Sequence, residues 1–313
     1  MSPALLITGT RRSGTTLLFQ ALSGSTGLWC RNELHEVHRL LFSGSCSVGE
    51  LSERLDGLGL GGASATLSEI ASPVQLFDAR MSQAAADAGK PRWCLKDPEV
   101  SHYLIDYAES MPSVKFIIIV RDPRAVARSF LERGTSCNWY SAGERWAAEV
   151  QGQLEFRQQY QNRCLLLRYE DLVKAFANEL QRVCDFVGLP MEEAMIRYHE
   201  RDSGIRIHEG NRNVRRPPDP SINEKWRESL SGRQLANVEA ATAEVMTQLG
   251  YKPESSVPGP SALRKEMYRL HNRLVWEYRW QRASRWYGIR RRCWSFVGKT
   301  ATWDLSSSHG KFR

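Results

Sequence analysis

In ITGTRRSGTTLL, residues 7–18, an apolar stretch runs into Gly9, four residues follow, and Gly14-Thr15-Thr16 opens a second apolar stretch. This pattern predicts a strand over 4–8, a turn-rich loop over 9–14 and a helix over Thr15–Leu22. Backbone N–H groups in such a loop, together with the helix N-terminus, cradle an anion such as phosphate. The spacing is that of the nucleotide P-loop, G-x-x-x-x-G-K-[ST], with Thr15 standing where that loop carries its lysine. Positive charge comes instead from Arg11 and Arg12 inside the loop. The plainer alternative is a glycine-rich turn with two solvated arginines. Strand, glycine spacing, paired threonines and helix all coincide, which favours the anion site.

Working outward, strands and helices alternate. A short buried strand is expected at 93–95. Residues 114–120 hold three consecutive isoleucines, as in a strand buried on both faces. Asp122 and Pro123 then read as N-cap and first residue of a helix running to about Arg133. Another strand is expected over 164–169 and a helix over 172–187. Residues 43–66 read as an insertion or a short helical excursion, and 210–222 as an extended Pro/Arg-rich loop. The fold class is therefore α/β: a P-loop-like, mainly parallel sheet flanked by helices. SSVPGP (255–260) marks an expected boundary between a domain over 1–258 and a helical basic extension over 259–313. Arg121 falls at the carboxyl end of a buried strand, where open α/β sheets bind ligands, and Ser129 follows about two helical turns later. The pair could hold a second phosphate; alternatively Arg121 makes an ordinary ion pair.

These segments, with CLKDP (94–98), RDPRAVARS (121–129), RYEDL (168–172), EKW (224–226) and QLGYKP (248–253), resemble the sulfotransferases that use 3′-phosphoadenosine-5′-phosphosulfate (PAPS). The RSGTT form is similar to that of the tyrosylprotein branch and its bacterial relatives. The likeness covers about residues 4–258. It implies that Arg12 contacts the transferring sulfuryl group. It also implies that Ser13, Gly14, Thr15 and Thr16, with Arg11 in the same loop, bind the 5′-phosphate end. Lys96 would stabilise charge at the bridging oxygen, Arg121 and Ser129 would take the 3′-phosphate, Tyr169 would lie near the adenosine, and Lys225 near the phosphosulfate. Glu33 falls where that branch has its catalytic glutamate, with His35 and Glu36 as rival bases. His35 stands where the branch has a substrate-contacting arginine, while Arg39 persists. Cys30 and Cys94 match positions that lumenal relatives join in a disulfide.

The implied reaction is in-line transfer of a sulfuryl group to a hydroxyl of a carbohydrate, a lipid-linked glycan, a peptide tyrosine or a small metabolite. A carboxylate on the acceptor side and fixed cations on the leaving side suit that chemistry, and no metal is needed without a triphosphate. A P-loop kinase and a catalytically silent nucleotide-binding module at a membrane are the competing classes.

The chain has 313 residues, 42% hydrophobic and 25% charged, which excludes collagen-like and wholly disordered classes. Seven cysteines show no zinc spacing, so reduced thiols and no metal site are expected. No apolar run approaches the ~20 residues of a membrane span, and no secretory signal is evident, so a cytoplasmic location is expected. Residues 261–313 hold 13 Lys+Arg against 3 Asp+Glu, whereas residues 1–260 hold 30 against 32. The basic character thus belongs to the tail, which disfavours nucleic acid as the partner of the main domain. Within 261–299, Leu263, Met267, Leu270, Leu274 and Tyr278 recur at helical spacing among arginines and tryptophans. That segment is either an interfacial helix drawn to anionic lipid at the inner face of a membrane or a helix packed on the main domain.

Overall fold

The computed structural model describes residues 4–62, 70–201 and 212–295, with backbone alone for 212–213 and 280–295. Five strands form one parallel sheet: β1 (Leu5–Thr8), β2 (Trp29–Asn32), β3 (Trp93–Lys96), β4 (Lys115–Val120) and β5 (Cys164–Arg168), in the order β2-β3-β1-β4-β5. The chain lays β2 and β3 to one side of β1, then crosses to place β4 and β5 on the other. β1 is therefore the topological switch point, the place where such sheets bind ligands. The α/β class with a parallel sheet is the one expected from the strand pattern.

Contacts divide the described chain into two units. The first holds the residues up to Arg121 together with Glu149–Asn223, and the second holds Asp122–Ala148 and the residues from Glu224 onward. The first contains the whole sheet. Leu5, Ile7, Ile117, Ile119 and Leu167 point to one face, where they pack on α1 (Thr15–Leu22), α8 (Tyr169–Lys174) and α9 (Phe176–Val187). Phe116 points to the other face and meets Phe156 edge-on at 4.9 Å. Both faces are buried, as the isoleucine run requires; each fully buried isoleucine contributes about 1.5–3 kcal/mol relative to exposure.

The Gly/Ser-rich insertion takes the helical alternative: it contains α3 (Val48–Gly57), started by the Ser47 side chain accepting from the Glu50 N–H. Other elements differ from expectation. The helix expected over 172–187 is two helices, because Ala175 leaves helical geometry (φ −129°, ψ 53°). β5 ends at Arg168, and Tyr169 already begins α8. The described part of 210–222 holds 3-10 turns at Arg212–Arg215 and Pro220–Glu224 rather than extended chain. Residues 202–211, Trp303 and residues 296–299 of the tail lie outside the described residues.

In the second unit, α6 (Pro123–Glu132) is capped by Asp122, as read from the sequence. α11 (Lys225–Ser229) and α12 (Gly232–Gln248) follow, then the long α13 (Ala262–Ser295). α13 is held through polar groups. The Tyr268 carbonyl accepts from Asn138 Nδ2 at 2.9 Å, Asn272 accepts from the Cys137 N–H at 3.1 Å, and Arg269 donates to Glu144 at 2.7 Å. Leu263, Met267, Leu270, Leu274 and Tyr278 are all exposed. The apolar stripe is thus not the face that packs.

Candidate active site

Because the strands are parallel, their carboxyl ends share one edge. β1 delivers the loop from Gly9 to Gly14, β2 delivers Glu33, β3 ends in Lys96 and leads to Asp97, β4 leads to Arg121 and β5 to Tyr169. Two backbone bonds extend the ladder past the strands: Glu33 N–H to Lys96 O at 2.9 Å and Asp97 N–H to Ile7 O at 3.0 Å. They set Glu33, Lys96 and Asp97 side by side.

The loop after β1 is tight. A Cβ on Gly9 would lie 2.2 Å from the Ile119 carbonyl, and one on Gly14 would lie 2.2 Å from the Tyr169 ring, so both positions require glycine. Arg12 is left-handed (φ 77°), the one non-glycine residue of positive φ among the described residues. Such strain persists where surrounding structure enforces it, often at ligand sites. Positive φ at Arg12 and Gly14 brackets Ser13, whose N–H closes a turn on the Thr10 carbonyl at 3.0 Å, and the loop runs into the N-terminus of α1, where unpaired helix N–H groups suit an anion. The Thr10 and Ser13 hydroxyls are buried in this loop with no hydrogen-bond partner, and Thr15, also buried, starts α1. An anionic oxygen fits that environment; a buried hydroxyl left without one is costly.

Arg11 is committed elsewhere, donating to Glu99 at 2.6 Å. Arg121 donates to the Arg12 carbonyl at 3.3 Å and stacks over the Tyr169 ring at 4.3 Å, so those three residues meet. Burial raises the Tyr169 hydroxyl above its usual range, with the Arg121 charge opposing. Ser129, on α6, and Lys225, first residue of α11, belong to the second unit. Thr16 follows Thr15 in the first turn of α1.

On the other side of the loop lies a cluster of charges. Lys96 is 2% exposed, and its Nζ donates to Glu33 Oε1 at 2.5 Å. Glu33 Oε2 takes His35 Nε2 at 3.0 Å. Asp97, fully buried, accepts from His35 Nδ1 (2.9 Å), His38 Nε2 (3.0 Å), Leu34 N–H (2.7 Å) and Glu99 N–H (2.9 Å). His38 Nδ1 faces the Tyr107 hydroxyl at 2.7 Å. Burial alone would raise the Glu33 carboxyl, but His35 and Lys96 outweigh it and hold it at about 2. Burial would lower His35, but its bonds to Asp97 and Glu33 outweigh it and take the imidazole to about 10. Asp97 is likewise opposed by burial and driven well below the carboxylate range by the two histidines. Glu36, the other rival base, is paired with Arg54.

A sequence profile of the sulfotransferase family matches residues 3–193. The chain belongs to the sulfotransferase family. This sulfotransferase is 26% identical over 297 residues to the protein-tyrosine sulfotransferase of Drosophila melanogaster, covering 88% of the chain and 58% of that protein. It is 25% identical over 271 residues to protein-tyrosine sulfotransferase A of Caenorhabditis elegans, covering 82% of the chain and 69% of the relative. The chain thus spans little more than half the length of the fly protein. In fold it resembles the sulfotransferase domain of the Synechococcus PCC 7002 olefin synthase, with a TM-score of 0.59 at 23% identity, over 80% of this chain and 95% of that one.

The site also contains Asp97, His38 and Tyr107, which the sequence pattern does not mark as functional. Asp97 sits in the KDP motif and was the one accessible signal; His38 and Tyr107 reach it only through the packing of α2 (His35–Phe42) and α5 (Leu104–Ser110). Cys30 and Cys94 are register partners on β2 and β3, both free thiols. Among the described residues no His/Cys/Asp/Glu group is arranged to hold a metal ion.

Proposed function

We propose that this sulfotransferase moves a sulfuryl group from PAPS to an acceptor hydroxyl, with Glu33 as the base on the acceptor side. The observation that carries this reading is one edge of the sheet: an anion-type loop with buried, partnerless Thr10 and Ser13 hydroxyls beside a buried lysine that touches a carboxylate. Bound PAPS supplies an activated sulfuryl group on a phosphate leaving group. Ser13, Gly14, Thr15 and Thr16 bind the phosphate end, Arg12 and Lys96 stabilise charge there, and Arg121 with Tyr169 serves the nucleotide side. Glu33 receives the acceptor proton. A peptide tyrosine in acidic surroundings is the acceptor class we favour, since both relatives above are named for protein tyrosine and since Arg39, on α2 beyond Glu33, is exposed.

Calorimetry with 3′,5′-ADP tests the donor reading. Each charge-assisted contact is worth about 1.5–3 kcal/mol. Arg121→Ala is therefore expected to weaken 3′,5′-ADP binding by about ten- to a hundredfold, at 1.4 kcal/mol per decade, and to leave 5′-AMP nearly unchanged. Equal losses for both would place Arg121 away from the 3′-phosphate. Transfer of ³⁵S to an acidic tyrosine peptide, against a carbohydrate panel, tests the acceptor class.

We also propose that α13 docks on an anionic bilayer. Its outward stripe of five apolar residues lies in a segment, 261–299, with 11 Lys+Arg against 2 Asp+Glu. Among the described residues no helix is long and apolar enough to cross a membrane. The helix would lie in the interface, where apolar area and basic charge act together. Flotation with phosphatidylserine vesicles should show binding at low salt and release at high salt. Lack of lipid dependence, or a dimer that buries the stripe, would remove the membrane.

A further inference from the structure

The His35 ring faces two carboxylates. Its Nδ1 lies 2.9 Å from Asp97 Oδ1 and its Nε2 lies 3.0 Å from Glu33 Oε2. Carboxylates held in their ionised form can only accept, so both ring nitrogens must donate, and no neutral tautomer of imidazole does that. His38, by contrast, gives Nε2–H to Asp97 and can accept the Tyr107 hydroxyl at Nδ1, which a neutral ring satisfies. The two histidines on one helix are thus separated by what they face.

We propose that Asp97 and His35 form a positioning dyad for Glu33, in which Asp97 holds His35 as an imidazolium and the imidazolium fixes the Glu33 carboxylate. His35 is then barred from acting as the base. Glu33 is held from both sides: Oε2 by His35 and Oε1 by Lys96. Asp97 is itself rigid, because the Leu34 and Glu99 N–H groups and His38 take its remaining capacity. The other charges around the dyad are settled in pairs, Arg11 with Glu99 and Arg54 with Glu36, and Tyr107 is buried beyond His38. Glu33, Asp97, Lys96 and His35 together balance to zero, so the imidazolium is the ring state that leaves no uncompensated buried charge. The raised His35 and lowered Glu33 agree with this geometry.

The role assigned to His35 rests on Glu33 being the acceptor-side base; the protonation state of His35 does not. The closing experiment therefore has two arms. The first is long-range ¹H–¹⁵N correlation of the ¹⁵N-histidine-labelled 313-residue chain, which carries seven histidines, with His35 assigned by His35→Gln. In the wild type His35 should show the imidazolium pattern, unchanged from pH 6 to 9. In Asp97→Asn it should titrate within that window. A wild-type His35 that is neutral at pH 7, or that titrates near 6.5, overturns the dyad even if Asp97→Asn fails to fold.

The second arm is the pH profile of ³⁵S transfer to the acidic tyrosine peptide. His35→Gln should lower kcat by about ten- to a hundredfold, with 3′,5′-ADP affinity held within about twofold. Its acidic limb should move up toward the ordinary carboxylate range, because one of the two cations depressing Glu33 is gone. His35→Arg, which stays charged, should recover part of the rate and return the limb toward acid. An unshifted limb in His35→Gln would overturn the positioning role. Full turnover in Glu33→Gln, with His35 still an imidazolium, would instead fault the base assignment.

Discussion

Lys96-Asp97-Pro98 and Arg121-Asp122-Pro123 leave the two parallel strands that flank β1 with the same three parts: a cation at the strand end, an N-capping aspartate and a proline opening a helical turn. Asp97 caps the Glu99 N–H at 2.9 Å and Asp122 caps the Arg124 N–H at 2.8 Å. Beyond the cap they diverge. Asp97 receives two imidazoles from α2, and its cluster reaches Glu33, whose side chain is 32% exposed. Asp122 receives the guanidinium of Arg124 at 2.7 Å, which also donates to Glu239 of α12 at 3.0 Å and to the Lys252 carbonyl, and lies over the Trp226 ring at 4.0 Å. That second cluster is closed at its centre, with Arg124 at 3% exposure, and reaches the surface through Glu254, 3.4 Å from Arg124. The same corner therefore differs by what the next helix brings to it, ionisable rings beside Glu33 or a carboxylate in the interior, and only the first suits the chemistry proposed above.

The largest expected contrast is in turnover. Glu33→Gln should cut transfer by about 10²–10⁴, the usual weight of a positioned acid–base group, and should also lower the melting temperature, because buried Lys96 and half-buried His35 lose the carboxylate they share. Donor affinity should stay near wild type or tighten, since Lys96 loses its present partner. Lys96→Ala should reduce both turnover and donor affinity. Near-normal turnover in Glu33→Gln would dissolve the distinction between the two corners.

Next in size is a stability effect at the closed corner. Removing one partner of a buried ion network leaves the others uncompensated, at about 3–5 kcal/mol. Arg124→Ala should therefore lower the denaturant midpoint sharply, while the folded fraction binds 3′,5′-ADP normally. If instead the midpoint holds and nucleotide binding is lost, Arg124 belongs to the site and the comparison fails.

Much of this was legible in the chain. Gly9, Gly14 and the paired threonines announced β1, its loop and α1, because close approach to Ile119 and Tyr169 excludes a side chain. The isoleucines announced β4, and Asp122-Pro123 announced α6. β2 was not announced: WCRN is four half-buried residues at a sheet edge, with neither alternation nor a β-branched run. The long helix α7 (Trp139–Gln159) escaped as well, its apolar residues being spread around the axis. At the site, the loop, Lys96, Arg121 and Tyr169 could be placed from motifs. The Lys96–Glu33 contact and the four bonds that Asp97 accepts could not, since they depend on how α2 and α5 fold back onto β3. The second arginine of RDPR shows the converse, a motif position whose side chain is spent on packing.

The smallest effect separates the corners by pH. His35 is raised from 6.5 to about 10 by Asp97 and Glu33 against the opposing effect of burial, so its contribution to stability is fully present below about pH 6.5 and is lost as pH rises through about 10. Glu33 is lowered from 4.5 to about 2, so its contribution is present above about pH 4.5 and is lost as pH falls through about 2. The open corner is therefore strongest between about pH 4.5 and 6.5 and weakens on the alkaline side. Urea unfolding of wild type and His35→Gln should differ most in that window, and the gap should narrow steadily from pH 6.5 to 10. Arginine does not titrate there. The deficit of Arg124→Ala should hence run parallel to wild type from pH 6.5 to 10. A His35→Gln gap that stays constant over the same range would mean that His35 stabilises the fold by packing alone, and the two corners would then be alike in kind.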